Sequence, residues 1–118
     1  MPMNHSLQRF KAELFKAVAH PTRIRILEFL RRGEMTVGEL QEQLGTDGSS
    51  ISQQLAVLRG QNILESRRRG TSVYYTVRDP AVFELLDVAS AIFSSHLATV
   101  QEMALTEADG GATLELSA

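Results

Sequence analysis

"SSISQQLAVLRGQNILESRRRGTSVYYTV", residues Ser49–Val77, joins a short helix to a β-hairpin, and the two halves carry different chemistry. At 100° per residue, Ile51, Leu55 and Leu58 fall within about 60° of one another, so that face turns to a core. The opposite face is centred on Ser49, Gln53, Ala56 and Gly60. Ser50 and Ser52 flank it, and Gln54 lies nearer the core edge. No charged residue occurs between Gly48 and Leu58, and Arg59 is the first. A helix face meant only for water tends to be charged. A small, uncharged, hydrogen-bonding ridge suits a DNA major groove instead. There Gln pairs bidentately with adenine, Ser donates or accepts, and Ala meets a thymine methyl. The helix N-terminus would also offer free N–H groups and a positive dipole to a phosphate.

The second half reads as two strands. Val73, Tyr75 and Val77 alternate with Tyr74 and Thr76, and Gly70 supplies the turn. Arg67, Arg68, Arg69 and Thr71 crowd its tip, with Arg67 and Arg69 on one face of the strand. Such a tip could follow a phosphate backbone or enter a minor groove, each neutralised phosphate adding salt-sensitive affinity. Charge can also merely guard an edge hairpin against aggregation. Beside an uncharged groove-reading face, contact with a polyanion is the stronger reading.

Upstream, "HSLQRFKAELFKAVAH" predicts an amphipathic helix to about His20, with Leu7, Phe10, Leu14 and Val18 on one face. Pro21 suits the first turn of a second helix, in which Ile24, Leu27 and Leu30 face inward and Gly33 marks the end. "EMTV" is a short extended piece. Thr36 and Glu39 make a capping box for a third helix, stopped by Gly45. Asp47 can cap the fourth. Two short helices around a glycine-bearing turn form a helix-turn-helix. Downstream, Asp79 and Pro80 open a long last helix with a broad apolar stripe that includes Val82, Leu86, His96, Val100 and Met103. The expectation is one domain over 1–118, mainly α with a small β-hairpin. Residues 6–108 would be ordered, with tails at 1–5 and 110–118.

Charge is divided along the chain. Residues 1–78 hold all 12 Lys and Arg against 7 acids; residues 79–118 hold 7 acids and no cation. The net charge of −2 therefore hides a basic part suited to an anionic partner. Without cysteine there are no disulfides, thiolate metal sites or Cys nucleophiles, and the composition is compatible with the cytoplasm. The N-terminal residues do not read as a signal peptide. No apolar run is expected to approach the roughly 18 residues of a membrane span, so no membrane partner is expected.

Four segments, "LFKAVAHPTRIRILEFL", "MTVGELQEQLG", "SSISQQLAVLRGQNIL" and "RRRGTSVYYTV", resemble in order and spacing the ArsR/SmtB family of winged helix-turn-helix repressors, over roughly residues 10–98. The resemblance implies four helices, a hairpin wing and a fifth helix. It also implies a homodimer through the first and last helices on a palindromic operator. Leu7, Phe10 and Leu14 of the first helix, and Leu85, Ala89, Ile92 and Phe93 of the last, would form that interface. The sequence supports this independently, because one small domain can hardly bury both stripes. DNA contacts are expected from Ser49, Ser50, Ser52, Gln53, Gln54, Arg59, Arg67, Arg68, Arg69 and Thr71.

The resemblance does not extend to the family's metal sites. The cysteine site is impossible here. The positions of a last-helix zinc site read Asp79, Ala81, Ile92 and Ser95, and two of these have no metal-binding group. No cofactor is expected. The alternative is Ni²⁺ or Zn²⁺ held by His5, His96 and Glu102 across a dimer. His20 is placed at a helix junction. A second functional class is a protein-interaction adaptor, with a co-regulator docked on the acidic last helix supplying the signal. The arginine wing argues against a pure adaptor. No nucleophile–base set or phosphate-binding glycine pattern points to an enzyme.

Overall fold

The structure, a computed structural model, describes the backbone from residue 2 to 110 and side chains from 5 to 107. The tail expected at 110–118 lies outside the described residues beyond Gly110. The elements are α1 (Pro2–Val18), α2 (Pro21–Leu30), α3 (Val37–Leu44), α4 (Gly48–Gly60), β1 (Leu64–Arg69), β2 (Ser72–Val77) and α5 (Ala81–Gly110). Contacts divide the chain at Phe83–Glu84 into two compact units.

The first unit holds α1 to β2 and the opening of α5. Its core is aliphatic. Ile26 and Leu27 of α2, Leu40 of α3, Ile51, Leu55 and Leu58 of α4, and Leu64 of β1 are fully buried. Ile24, expected inside, is only half-buried, and Ile26 takes its place. Among the described residues no polar or charged side chain is buried, so cohesion within this unit is almost wholly hydrophobic.

Local chemistry sets the element ends. α1 stops at Val18, two residues before the expected end, because His20 precedes Pro21 and is therefore extended (φ −156°, ψ 126°). His20 instead caps α2, its Nδ1 accepting from the Thr22 N–H at 3.2 Å. The Thr36–Glu39 capping box forms as expected, with bonds of 2.9 and 3.1 Å. α4 ends in a pattern the sequence reading missed. Asn62 is left-handed (φ 61°), its N–H donates to the Arg59 carbonyl, and the Ile63 N–H donates to that of Leu58. This is a Schellman closure, with Asn in the place glycine usually takes. It tucks Ile63 into the core and aims the chain into β1.

β1 and β2 are antiparallel, Leu64 opposite Val77 and Arg69 opposite Ser72. The loop between them is Gly70–Thr71, with Gly70 left-handed at φ 61°. The extended piece before α3 adds a third partner: Met35 exchanges backbone bonds of 2.9 and 3.2 Å with Tyr75. The hairpin is thereby tied to the α2–α3 connection. Arg31 fixes the first turn of α5, donating to the Phe83 carbonyl at 2.7 Å with its guanidinium 5.2 Å from the Phe83 ring centroid.

The second unit contains one described element, α5 from Glu84 onward. Ala81–Glu107 is long and apolar enough, by length and composition alone, to cross a membrane. That corrects the expectation that no stretch approaches such a length, because the mean hydropathy of the helix stays high although polar and acidic residues interrupt its apolar runs. Ile92, Phe93 and Leu105 on this helix are each more than 60% exposed.

Leu58 meets no solvent and sits at the Schellman closure, so truncating it opens a cavity with little means of collapse. Leu58→Ala should cost about 2–5 kcal/mol, read from urea unfolding followed by circular dichroism.

Candidate nucleic-acid interface

The arrangement begins with α4, whose three buried residues fix which side looks outward. Ser52, Gln53, Ala56 and Arg59 are exposed. Among the described residues, no side-chain hydrogen bond or ion pair engages Ser52, Gln53 or Arg59, so their donors and acceptors are open to a ligand. Ser49 is also exposed, but its hydroxyl donates to Asp47 Oδ1 at 2.7 Å. The same oxygen accepts from the Ser50 N–H at 2.9 Å. The helix N-terminus expected to greet a phosphate is therefore already occupied by a carboxylate of its own. The Ser49 hydroxyl first, then the Ser50 N–H, holds the Asp47 pKa below its ordinary value, with slight burial opposing them.

Gln54 differs from its neighbour. It is half-buried, and its Oε1 accepts from Arg23 Nε of α2 at 2.8 Å. Only its amide donors remain uncommitted. Sequence reasoning placed Gln54 near the core edge but did not identify Arg23, which is 31 residues away.

The hairpin's two faces follow from its register. Arg67, Arg69, Ser72 and Tyr74 share one; Leu64, Ser66, Arg68, Val73 and Tyr75 share the other. Arg67 and Arg69 do share a face, yet they are not equivalent. Arg69 pairs with the Glu34 carboxylate, and its guanidinium lies 4.2 Å from the Tyr74 ring centroid. Arg67 and Arg68 are exposed and, among the described residues, carry no ion pair. Of the three wing arginines, two are free cations and the third is neutralised. Glu34 was not singled out in the sequence. It stands next to Met35, and the Met35–Tyr75 bridge delivers it to the wing. Thr71 is exposed in the loop, and Arg78 faces Glu65 at 3.6 Å at the hairpin base.

The two apolar stripes remain uncovered in the single chain. Leu7, Phe10 and Phe15 of α1 are 55%, 64% and 53% exposed, and Ile92 and Phe93 of α5 are 65% and 61% exposed. Ala89 is exposed as well, whereas Leu14 and Leu85 are half-buried. The α1 stripe is thus split: Val18, expected to continue it, is buried. His5, His96 and Glu102 are all exposed. Among the described residues, no group of three or more His, Asp or Glu side chains could hold a metal ion within one chain.

Comparison with known proteins bears on this geometry. Residues 20–66 match the profile of the bacterial regulatory protein arsR family. The uncharacterised HTH-type transcriptional regulator Rv0081 of Mycobacterium tuberculosis is 40% identical over 112 residues, 91% of this chain and 96% of that protein. Its crystal structure superposes with a TM-score of 0.72 at 42% identity, over 79% of this chain and 94% of the other. The biofilm growth-associated repressor of Xylella fastidiosa is 37% identical, over 72% of this chain and 75% of its own length. The homodimeric winged helix-turn-helix DNA-binding domain of Mb0332 from Mycobacterium bovis, solved by NMR, gives a TM-score of 0.72 at 29% identity, over 80% and 87% of the two chains.

The Asp47 cap gives a signed pH effect. A carboxylate with a depressed folded-state pKa contributes stability above its unfolded value, about 3.9, and loses it as pH falls through the folded value. The wild type should therefore lose unfolding midpoint below about pH 4. Asp47→Asn, which caps without titrating, should lose less over the same range in urea titrations at stepped pH.

Proposed function

This chain belongs to the ArsR family of bacterial regulatory proteins and is a DNA-binding transcriptional regulator, and from that premise we propose that it works in the cytoplasm as a homodimeric repressor of an inverted-repeat operator. The observation that carries the reading is the pairing of two unengaged surfaces: the uncharged Ser52–Gln53–Ala56 ridge of α4, and the free Arg67 and Arg68 of the wing. The ridge has the groups that distinguish base edges in a major groove. The wing has the cations that follow phosphates. Phosphate contacts set orientation, and base contacts set sequence.

The dimer rests on the exposed apolar residues of α1 and α5. Phe10 of α1, and Ile92 and Phe93 of α5, are too large and too exposed to be left in water without cost, and exposed apolar surface of this kind on each helix marks an interface. A two-fold axis would present two α4 helices to half-sites about one DNA turn apart, roughly 34–36 Å. The same reading assigns the protein no catalysis.

Two substitutions separate the two kinds of contact. Gln53→Ala should lose about 1–3 kcal/mol at an operator selected from random duplexes and little on a scrambled one. Arg68→Ala should weaken both duplexes and flatten the salt dependence by about one unit per protomer. Both are measured by fluorescence anisotropy across a salt series. Equal affinity of the wild type for the two duplexes would count against base readout. The interface is checked by Ile92→Glu, which should shift sedimentation from dimer toward monomer and weaken operator binding in proportion.

A further inference from the structure

We infer that Arg23 is a positioning residue for DNA recognition: by clamping Gln54 it sets the rotation of α4 and couples that rotation to α1. The inference rests on the DNA-reading role proposed above for α4. Arg23 bridges three helices within the first unit. From the first turn of α2 its Nε donates to Gln54 Oε1 at 2.8 Å, and its Nη1 donates to the Ala17 carbonyl near the end of α1 at 3.0 Å. A planar guanidinium can make both bonds at once because its donors are fixed in a fork.

Three physical points favour a role beyond adhesion. First, α4 is held inward by Ile51, Leu55 and Leu58, whose burial is strong but non-directional. Aliphatic contact resists withdrawal of a helix better than small rotation. A rotation of about 20° moves a side-chain tip some 6 Å from the helix axis by roughly 2 Å, outside the range of a good hydrogen bond. Among the described residues, the bond to Gln54 is the one side-chain hydrogen bond from another element to α4, and it acts one residue from Gln53. Second, a cation in the first turn of α2 opposes that helix's dipole, whereas at the end of α1 it satisfies an orphan carbonyl and complements the dipole. The favourable electrostatics of Arg23 therefore lie with α1 rather than with its own helix. Third, α1 carries the exposed Leu7, Phe10 and Phe15, which the proposed dimer covers. Pairing of two chains thus has a short mechanical route to the reading face: α1, the Ala17 carbonyl, Arg23, Gln54, α4.

The test compares wild type, Arg23→Gln, Arg23→Lys, Gln54→Ala and the Arg23→Gln/Gln54→Ala double variant. Each binds the operator duplex selected by wild type and a scrambled duplex of the same composition, over a salt series, with thermal unfolding checked in parallel. Arg23→Gln and Gln54→Ala should each lower the operator-to-scrambled affinity ratio at least tenfold while leaving the salt slope unchanged. The double variant should be no worse than the poorer single one. Arg23→Lys keeps charge and stem but loses the fork. It should lose discrimination too, and it carries the test if Arg23→Gln fails to fold.

Three results would overturn the inference. One is discrimination intact in Arg23→Lys and Arg23→Gln. Another is equal weakening on both duplexes with a flatter salt slope, which would make Arg23 a phosphate contact. The third is losses that multiply in the double variant. A wild type that treats the two duplexes alike would instead sink the recognition reading itself, and this inference with it.

Discussion

The arrangement depends on the burial of Ile51, Leu55 and Leu58, at 0%, 1% and 0% exposure. A helix that commits residues at this spacing to a core has no freedom over which residues it shows on the other side. That is why Gln53 and Ser52 stand outward without partners. Close approach then follows from size, since Ser and Ala do not hold a second surface away. The same burial explains why α4 can present an uncharged polar face at all. Its own stability comes from the core and the Asp47 cap, so its outer surface need not carry the ion pairs that support an isolated helix.

Electrostatics then sort residues that look alike in sequence. Arg67, Arg68 and Arg69 are consecutive, but Arg69 spends its charge on Glu34 and the face of Tyr74. A neutralised guanidinium stacked on a ring stiffens the hairpin, and the cations left free are Arg67 and Arg68. Asp47 makes a similar division at the start of α4. Its carboxylate satisfies the Ser50 N–H and the Ser49 hydroxyl, which secures the helix but puts negative charge at the end that would otherwise attract a phosphate. In the proposed complex, affinity for the DNA backbone would therefore rest more on the wing than on the helix dipole.

What could be read from the chain and what could not divide by range. The α4 faces, the Thr36–Glu39 box, the Asp47 cap and the Gly70 turn are local, governed by residues within four positions of each other, and periodicity or cap chemistry exposes them. Glu34–Arg69 and Arg23–Gln54 span 35 and 31 residues. Nothing in a helical or strand period marks one arginine among 12 cations as a clamp. Such contacts follow only once Met35 has joined Tyr75 and α2 has been laid beside α4. Asn62 lies between these cases. Its left-handed backbone is local, but glycine is the usual sign for it, and here asparagine takes that place.

α5 poses the sharpest choice of environment. Its length and composition would allow a membrane, and its exposed Ile92, Phe93 and Leu105 would welcome one. Yet Glu84, Asp87, Glu102 and Glu107 punctuate the same helix with no lysine or arginine on it. A spanning helix normally has an apolar surface all round and basic residues flanking one end. An apolar stripe bordered by carboxylates is better matched by another protein surface. Those carboxylates also repel a polyanion, so α5 is better suited to a protein surface than to DNA. The division of charge at residue 78 thus separates the acidic α5 from the arginine-bearing hairpin, while the exposed apolar residues of α1 lie on the basic side of it.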